Sequence, residues 1–212
     1  MATTTPAQAE REALCDLFLE VGPDAPTLCA GWTTRDLAAH LVVRDRRPDA
    51  IAGEFLKPLA AHGEKVRRAE AARPWPELVE RVRSGPPRWN PMALGPVDQL
   101  ANSIEYFVHH EDVRRARPTW SVRALSPELE DALAGPLGRM GRILTRKAKV
   151  GIVLEPDGRE PVRLRTGEPT VTIRGPIGEL VLYVYGRKDV AKVTLDGDAD
   201  AVERVRTAEF GV

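Results

Sequence analysis

The chain has 212 residues, of which 42% are hydrophobic and 29% are charged, as in ordinary globular proteins. Lysine plus arginine balances aspartate plus glutamate at 31 each, so no basic field exists to attract nucleic acid or anionic lipid. The sequence contains no apolar run of about 18 residues, which argues against a membrane-spanning helix.

Two further features suggest the compartment. The first residues show no basic and apolar leader, and the two cysteines, Cys15 and Cys29, are too few for a disulfide framework. We therefore expect a cytoplasmic protein without nucleic-acid or membrane partners. Both cysteines are interpreted as small buried hydrophobes.

The first two thirds of the chain predict helices separated by proline and glycine breaks. Thr5 and Pro6 open a helix that runs to Glu20, and Thr33 with Asp36 resembles a capping box at the start of a second helix. An irregular proline-rich segment is expected at Arg88–Pro96. Further helices are predicted within Ile51–Ala72, interrupted at Pro58, and over Trp75–Arg83, Val97–Ala116 and Ser126–Lys147.

The hydrophobic period then changes from about 3.6 to about 2 residues, which is typical of strands. The segment Leu180–Tyr185 favours a strand by propensity. The change predicts an α+β fold, with a helical bundle at residues 1–147 and a small α+β domain at 148–212. Strands are predicted at Val150–Leu154, Val162–Arg165, Thr170–Arg174 and Val190–Leu195, with a hairpin at Asp157-Gly158 and a last helix at Ala199–Thr207 capped by Asp198.

Glu105 and His109 are four residues apart on the predicted helix Val97–Ala116, so they lie on one face, one turn apart. A carboxylate and an imidazole so placed can bind one cation, and His40 on the second helix is the best candidate for a third ligand. Two histidines and one carboxylate from facing helices leave coordination positions open, as catalytic zinc sites do. Alone, Glu105 and His109 would be a helix-surface ion pair.

The polar residues around these ligands each have a functional and a structural interpretation. Asp112 either orients a ligand imidazole or forms a surface salt bridge with Arg115 or Arg35. His110 lies about 100° around the helix from His109, which predicts a surface or supporting residue. The cysteines are not expected beside the ligands. The remaining expectations are a capping role for Asp36, a packing role for Trp32 and a solvated loop at His62.

Two motifs together suggest a family. The stretch Cys29-Ala-Gly-Trp-Thr-Thr-Arg-Asp-Leu-Ala-Ala-His40, followed by Glu105-xxx-His109-xx-Asp112, resembles the N-terminal domain of mycothiol-dependent maleylpyruvate isomerases, which are DinB-like four-helix bundles. The resemblance implies that His40, Glu105 and His109 bind a divalent metal, most often zinc. Two features depart from the family pattern: His110-Glu111-Asp112 is unusually acidic, and the insert near Trp89 has no counterpart.

The C-terminal part is similar to the small sterol-carrier-like α+β domain of the same proteins. The similarity rests on Gly175-Pro176, Glu179-Leu180 and Gly186-Arg187, followed by Gly197-Asp198. In that domain the Pro176–Tyr185 stretch is a helix, so we predict a helix there despite its strand propensity.

The resemblance implies an enzyme that uses mycothiol or a similar thiol as co-substrate for a small molecule. A metal lowers the pKa of a bound thiol, and the thiolate adds to an unsaturated or electrophilic substrate, giving isomerisation or S-transfer. Arg187 is the catalytic candidate because its fork suits a carboxylate, and the alternative interpretation is a surface arginine. The alternative is a metal-stabilised binding module without turnover, in which Glu111 or Asp112 supplies a fourth ligand. A metal-assisted hydrolase comes third and lacks an obvious general base.

Overall fold

The computed structural model of the chain describes residues 4–51, 57–87, 90 and 102–211. These residues divide into two compact units, an N-terminal unit that ends at Ser121 and a C-terminal unit that begins at Val122. Most of the irregular segment predicted at Arg88–Pro96 lies outside the described residues. None of the described helices is long and apolar enough to span a membrane.

The N-terminal unit is helical, and side-chain caps that the sequence predicts set its first two helix starts. Thr5 Oγ1 accepts a hydrogen bond from the backbone N–H of Gln8 at 3.3 Å, and Pro6 occupies the first helical position. Thr33 and Asp36 form the predicted capping box. The described helices are α1 (Pro6–Val21), α2 (Thr34–Arg46), α3 (Pro48–Ile51), α4 (Ala60–Ala71), α5 (Trp75–Arg83) and α6 (Ser103–Arg115), with a 3₁₀ turn at Lys57–Leu59.

One main hydrophobic core holds these helices together. Helix α1 packs against α5 and α6, and α2 packs against α4 and α5. Phe18, Leu37, Leu78 and Tyr106 have no exposed surface in this core. Burying each such side chain contributes about 1.5–3 kcal/mol. The shared core therefore fixes α2 and α6, the two helices that carry the predicted metal ligands.

The C-terminal unit combines a four-stranded sheet with helices. The sheet has the order β2-β1-β3-β4, in which β1 and β3 are parallel and the outer pairs are antiparallel. Gly158 adopts a φ of 67° in the predicted turn between β1 and β2. The elements are α7 (Pro127–Leu144), β1 (Gly151–Pro156), β2 (Val162–Arg165), β3 (Thr170–Gly175), α8 (Ile177–Val184), β4 (Thr194–Asp196) and α9 (Ala199–Thr207).

The ambiguous segment forms a helix, as the resemblance implies and against its strand propensity. Every residue of α8 is buried, and the helix packs against α7, β1 and β3. A helix enclosed on all sides needs apolar residues all round, so Leu180–Val184 shows no polar face. Burial in the unit overrides the propensity of these residues for strands.

The division into units differs from the predicted boundary between residues 147 and 148. Helix α7, capped by Ser126, packs against β2 and α8 and therefore belongs to the C-terminal unit. A Cβ at Gly141 would lie 2.8 Å from Leu164 Cδ2, so the missing side chain lets the helix lie close to the sheet. The change of hydrophobic period marks the end of α7, not the end of the N-terminal unit. Strand β4 is also shorter than the predicted Val190–Leu195, because only Thr194–Asp196 pairs with β3.

Candidate metal centre

Helix α2 presents His40 at the edge of the hydrophobic core. Leu37, three residues before His40, and Leu41, the residue after it, lie on the buried face and have no exposed surface. The capping box at Thr33 fixes the start of α2 and thereby the rotation of the helix about its axis. His40 is 8% exposed, and its ring lies 5.3 Å from the Trp32 ring. Trp32 therefore packs as predicted, directly against the candidate ligand.

Helix α6 brings Glu105 and His109 to the same place. Glu105 Oε1 lies 3.3 Å from His109 Nε2, one turn along the helix, and 3.4 Å from His40 Nε2 across the helix pair. The donor atoms of His40, Glu105 and His109 all lie within 4.8 Å of one another. The structure thus brings together all three residues that the sequence singled out.

The spacing of these atoms fits a metal ion. Zinc lies about 2.0–2.1 Å from imidazole nitrogen and carboxylate oxygen in tetrahedral sites, which places neighbouring donor atoms about 3.3–3.4 Å apart. The two nitrogen–oxygen distances at Glu105 have these values. The donor set, two imidazoles and one carboxylate, also matches catalytic zinc sites.

Asp112 contacts the second ring nitrogen of His109. Its Oδ2 lies 2.9 Å from His109 Nδ1, and the side chain has no exposed surface. Of the two alternatives for Asp112, the structure supports orientation of a ligand imidazole, because a carboxylate on Nδ1 leaves Nε2 directed at Glu105. Arg115, one of the alternative partners for Asp112, pairs with Glu111 at 2.6 Å.

Cys29 lies next to the candidate centre, contrary to the prediction that neither cysteine does. Its Sγ is 3.2 Å from Asp112 Oδ2, the same oxygen that faces His109. The backbone explains the approach, since the Leu28 N–H donates to the Asp112 carbonyl and ties this loop to α6. Cys15, by contrast, is fully buried in the core, and burial raises the pKa of its thiol to about 12.

Arg44 completes the electrostatics of the cluster. Its Nε lies 3.3 Å from Glu105 Oε1, while its Nη1 reaches Asp45 at 3.1 Å and Asn102 at 2.7 Å. Burial opposes ionisation of Glu105, but Arg44 and the two histidines outweigh it and hold the pKa of Glu105 well below its ordinary value. The sequence offered one signal for Arg44, its position one turn after His40 on α2.

The pKa of His109 shifts the other way. Burial would lower it, yet hydrogen bonds to Asp112, Cys29 and Glu105 raise the pKa of His109 well above its ordinary value. Carboxylates face both of its ring nitrogens, so the metal-free cluster favours the imidazolium form. A metal ion must displace that proton to bind at Nε2.

The other two histidines take structural positions. His110, predicted as a surface or supporting residue, is buried, and its Nδ1 lies 2.8 Å from Glu10 Oε1 on α1. It turns to α1 because it is rotated about 100° from His109 around α6. His62, predicted in a solvated loop, is exposed but belongs to α4, and its Nε2 lies 2.8 Å from Asp49.

Arg187 lies in the turn that follows α8 in the C-terminal unit. It is half-buried, and its Nη1 donates to the Tyr185 carbonyl at 2.7 Å. That bond fixes the guanidinium beside its own turn. A catalytic role for Arg187 stays a prediction.

The fold and the cluster define an α+β protein with a candidate metal centre in its helical unit. Residues 119–204 match the family MDMPI C-terminal domain. Two solved structures resemble the chain over 90% of its length and 90% of their own. One is a histidine-to-alanine variant of the mycothiol-dependent maleylpyruvate isomerase, with a TM-score of 0.54 and 15% identity, and the other is that isomerase, with a TM-score of 0.49 and 16% identity. No curated protein matches the chain. The resemblance that the two sequence motifs predict is confirmed, together with the α+β fold.

Proposed function

We propose that the chain is a metal-dependent enzyme that activates a low-molecular-weight thiol for isomerisation or S-transfer on an unsaturated or electrophilic small molecule. The observation that carries this proposal is the convergence of His40 and His109 on one oxygen of Glu105 at 3.3–3.4 Å. A divalent metal, zinc by its preference for this donor set, would be held by these three residues. The fold likeness to a mycothiol-dependent isomerase supports a thiol co-substrate such as mycothiol.

A bound metal supplies one thing here, a lowered pKa for a thiol, so that a thiolate is available at neutral pH. The residues of the chain position the metal ligands. Asp112 holds His109 with Nε2 directed at Glu105, and Arg44 keeps Glu105 ionised. Both residues act through the ligands, so they are positioning residues.

The thiol comes from outside the chain in this proposal. Cys15 is buried, and its raised pKa makes it a poor nucleophile. Cys29 contacts the carboxylate of Asp112. That carboxylate lies at Nδ1 of His109, whereas Glu105 lies at Nε2 on the opposite side of the ring. A thiolate from the co-substrate would form a C–S bond by adding to a carbon–carbon double bond of the electrophile, and the π electrons would move onto the adjacent electron-withdrawing group. Rotation about the resulting single bond and expulsion of the thiolate would give the isomer, whereas uptake of a proton at carbon would give the S-transfer product.

Open coordination positions separate this proposal from a metal-stabilised binding module. The residues named as possible fourth ligands are committed elsewhere in the described part of the chain. Glu111 pairs with Arg114 at 2.7 Å and Arg115 at 2.6 Å, and Asp112 occupies the Nδ1 side of His109. Among the residues that the structure describes, three donors then face the Nε2 side of the cluster, the number that a catalytic zinc site uses.

The first test is metal content by elemental analysis. Wild-type protein should contain about one divalent ion per chain, and the double variant His40→Ala, His109→Ala should lose it. His62→Ala is the matched control, because His62 is exposed on α4 and should leave metal content unchanged. Full metal in the double variant would refute the ligand assignment.

The second test is turnover. Metal-loaded protein is incubated with mycothiol and maleylpyruvate or other electrophiles, while ultraviolet absorbance and free thiol are followed. Glu105→Ala should lose metal and activity together, and Arg187→Ala should weaken handling of acidic substrates if that arginine binds their carboxylate. A metal-loaded protein that turns over none of these substrates would favour the binding module.

A further inference from the structure

A small cavity of about 130 Å³ lies in the N-terminal unit beside the candidate metal centre. It is bordered by α2, α3 and α4. Its walls are mainly hydrocarbon, contributed by one aromatic ring and by small side chains that leave the space open. They include Trp32, Val43, Ala50, Ala60 and Gly63.

The charged residues in the wall are already paired with each other. Arg67 donates to both oxygens of Glu64 at 3.0 Å and to Asp36 at 2.6 Å. Both carboxyl groups have pKa values below their ordinary values. Burial opposes the shift at Asp36, but hydrogen bonds from Arg67 and Thr33 outweigh it, and the shift at Glu64 comes chiefly from Arg67. Two carboxylates thus satisfy the one cation among the described lining residues. A carboxylate ligand would meet this excess of negative charge.

The same arginine extends the aromatic wall. The Arg67 guanidinium carbon lies 5.1 Å from the centroid of the Trp32 ring. A planar cation stacked on indole forms a flat, weakly hydrated surface. Planar unsaturated or aromatic groups pack well against such a surface.

His40 connects this cavity to the candidate metal centre. Its ring forms part of the cavity wall, while its Nε2 lies 3.4 Å from Glu105 Oε1. One imidazole ring therefore borders both the cavity and the cluster. An apolar cavity of about 150 Å³ in another protein holds benzene, so the space beside His40 suits about five or six non-hydrogen atoms.

We propose that this cavity is the specificity pocket for an apolar, unsaturated or aromatic segment of the electrophile. The inference rests on the proposed function, because the cavity can select a substrate only if the reaction takes place at the neighbouring cluster. It names a substrate class: molecules with a short alkenyl or aryl group next to the reacting carbon. A carboxylate at that position is disfavoured by Glu64 in the wall, because Arg67, which could attract it, is already paired with Glu64 and Asp36.

Binding to the metal-free protein tests the pocket separately from catalysis. Benzene is titrated while the indole N–H signal of Trp32 and the ring C–H signals of His40 are followed by NMR, and benzoate is titrated in parallel. We expect saturable shifts at both residues with benzene and at least about tenfold weaker binding of benzoate, as expected when one charge is left unpaired in an apolar site. No saturable shift with benzene, or equal binding of benzoate, would overturn the proposal.

Variants of one helix provide the second arm. Ala60→Phe should fill the cavity and reduce benzene binding at least about fivefold, as expected for a pocket that is lost to packing. Ala61→Phe is the matched control, because Ala61 is the next residue of α4, is exposed, and is not among the lining residues. Ala60→Met serves if Ala60→Phe does not fold. Equal benzene binding by the Ala60 and Ala61 variants contradicts the assignment.

The two proposals fail in different ways. Loss of the metal assignment shows in elemental analysis and leaves benzene binding unaffected. Loss of the pocket assignment shows in the titrations and leaves metal content unaffected. If both hold, Ala60→Phe should lower kcat/KM for an aryl electrophile in the thiol-dependent reaction more than for a short alkyl one.

Discussion

Replacement of Asp112 by asparagine tests the candidate centre most directly. Asp112 Oδ2 lies 2.9 Å from His109 Nδ1, in a side chain without exposed surface. Asparagine keeps the size and one acceptor oxygen but removes the negative charge. The change therefore leaves the ligand in place and alters only what supports it.

The expected magnitude follows from two opposing effects. A carboxylate on Nδ1 makes Nε2 a better metal ligand, and its loss costs about 10–100-fold in metal affinity, or about 1.4–2.7 kcal/mol. The same carboxylate raises the pKa of His109, so its loss also removes a competing proton. At about pH 8.5 the competing proton matters less, so the variant should bind metal more weakly than wild type. The difference in metal affinity between the two proteins should shrink toward about pH 6, because proton competition at His109 grows tenfold per pH unit below its pKa.

The assay is competition of zinc with a chromophoric chelator at several pH values, on protein whose folding is checked by thermal unfolding. Asp16→Asn is the matched control, because it removes the same charge from an exposed residue of α1 that pairs with Arg83 and has no part in the cluster. Its metal affinity should match wild type. A folded Asp112→Asn protein that binds zinc as tightly as wild type at about pH 8.5 would refute the role of this carboxylate, because the supporting charge would then contribute less than about tenfold.

Three other measurements probe the same unit. Because the pKa of His109 is raised in the fold, protonated His109 stabilises the metal-free protein at low pH, and this stabilisation is lost as the pH rises through the folded pKa. The thermal midpoint of metal-free protein should therefore be lower at about pH 9 than at about pH 6, and that of zinc-loaded protein should change less. Arg44→Met should destabilise the metal-free protein by about 3–5 kcal/mol in chemical denaturation, because it leaves the buried carboxylate of Asp45 without its cation and removes one of the cations beside Glu105. An unchanged midpoint would contradict this. Iodoacetamide should label half-exposed Cys29 before Cys15, whose thiol has a pKa of about 12, as mass spectrometry of native protein can show.

The helix starts could be predicted because they depend on neighbours in the sequence. Thr5, Thr33, Ser126 and Asp198 each cap a helix with an oxygen that lies within three residues of its partner. The unit boundary could not be predicted in this way, because α7 joins the sheet through packing on β2 and α8, which follow it along the chain. The helix at α8 required the resemblance, since its strand propensity is overridden by burial.

The same distinction between local and long-range contacts applies to the candidate site. Glu105 and His109 share a face because four residues make about one turn, and the sequence alone places them together. Cys29 is 83 residues from Asp112 in the chain, and its approach to α6 depends on how the loop before α2 folds back. The partner of His110, Glu10 on α1, is 100 residues away and could not be predicted from local spacing.

The contrast between His109 and His110 explains why only one of two adjacent histidines suits a metal. Both are well shielded from solvent, and each has a carboxylate on Nδ1, from Asp112 and Glu10 respectively. Glu10 comes from a facing helix, so the His110 pair joins α1 to α6. The carboxylate of His109 comes from its own helix, three residues on, and therefore adds no contact between helices. What it does fix is the orientation of Nε2, which faces Glu105 together with His40. A carboxylate from the same helix that orients one ring atom toward a shared acceptor is the arrangement expected of a ligand and not of a packing residue.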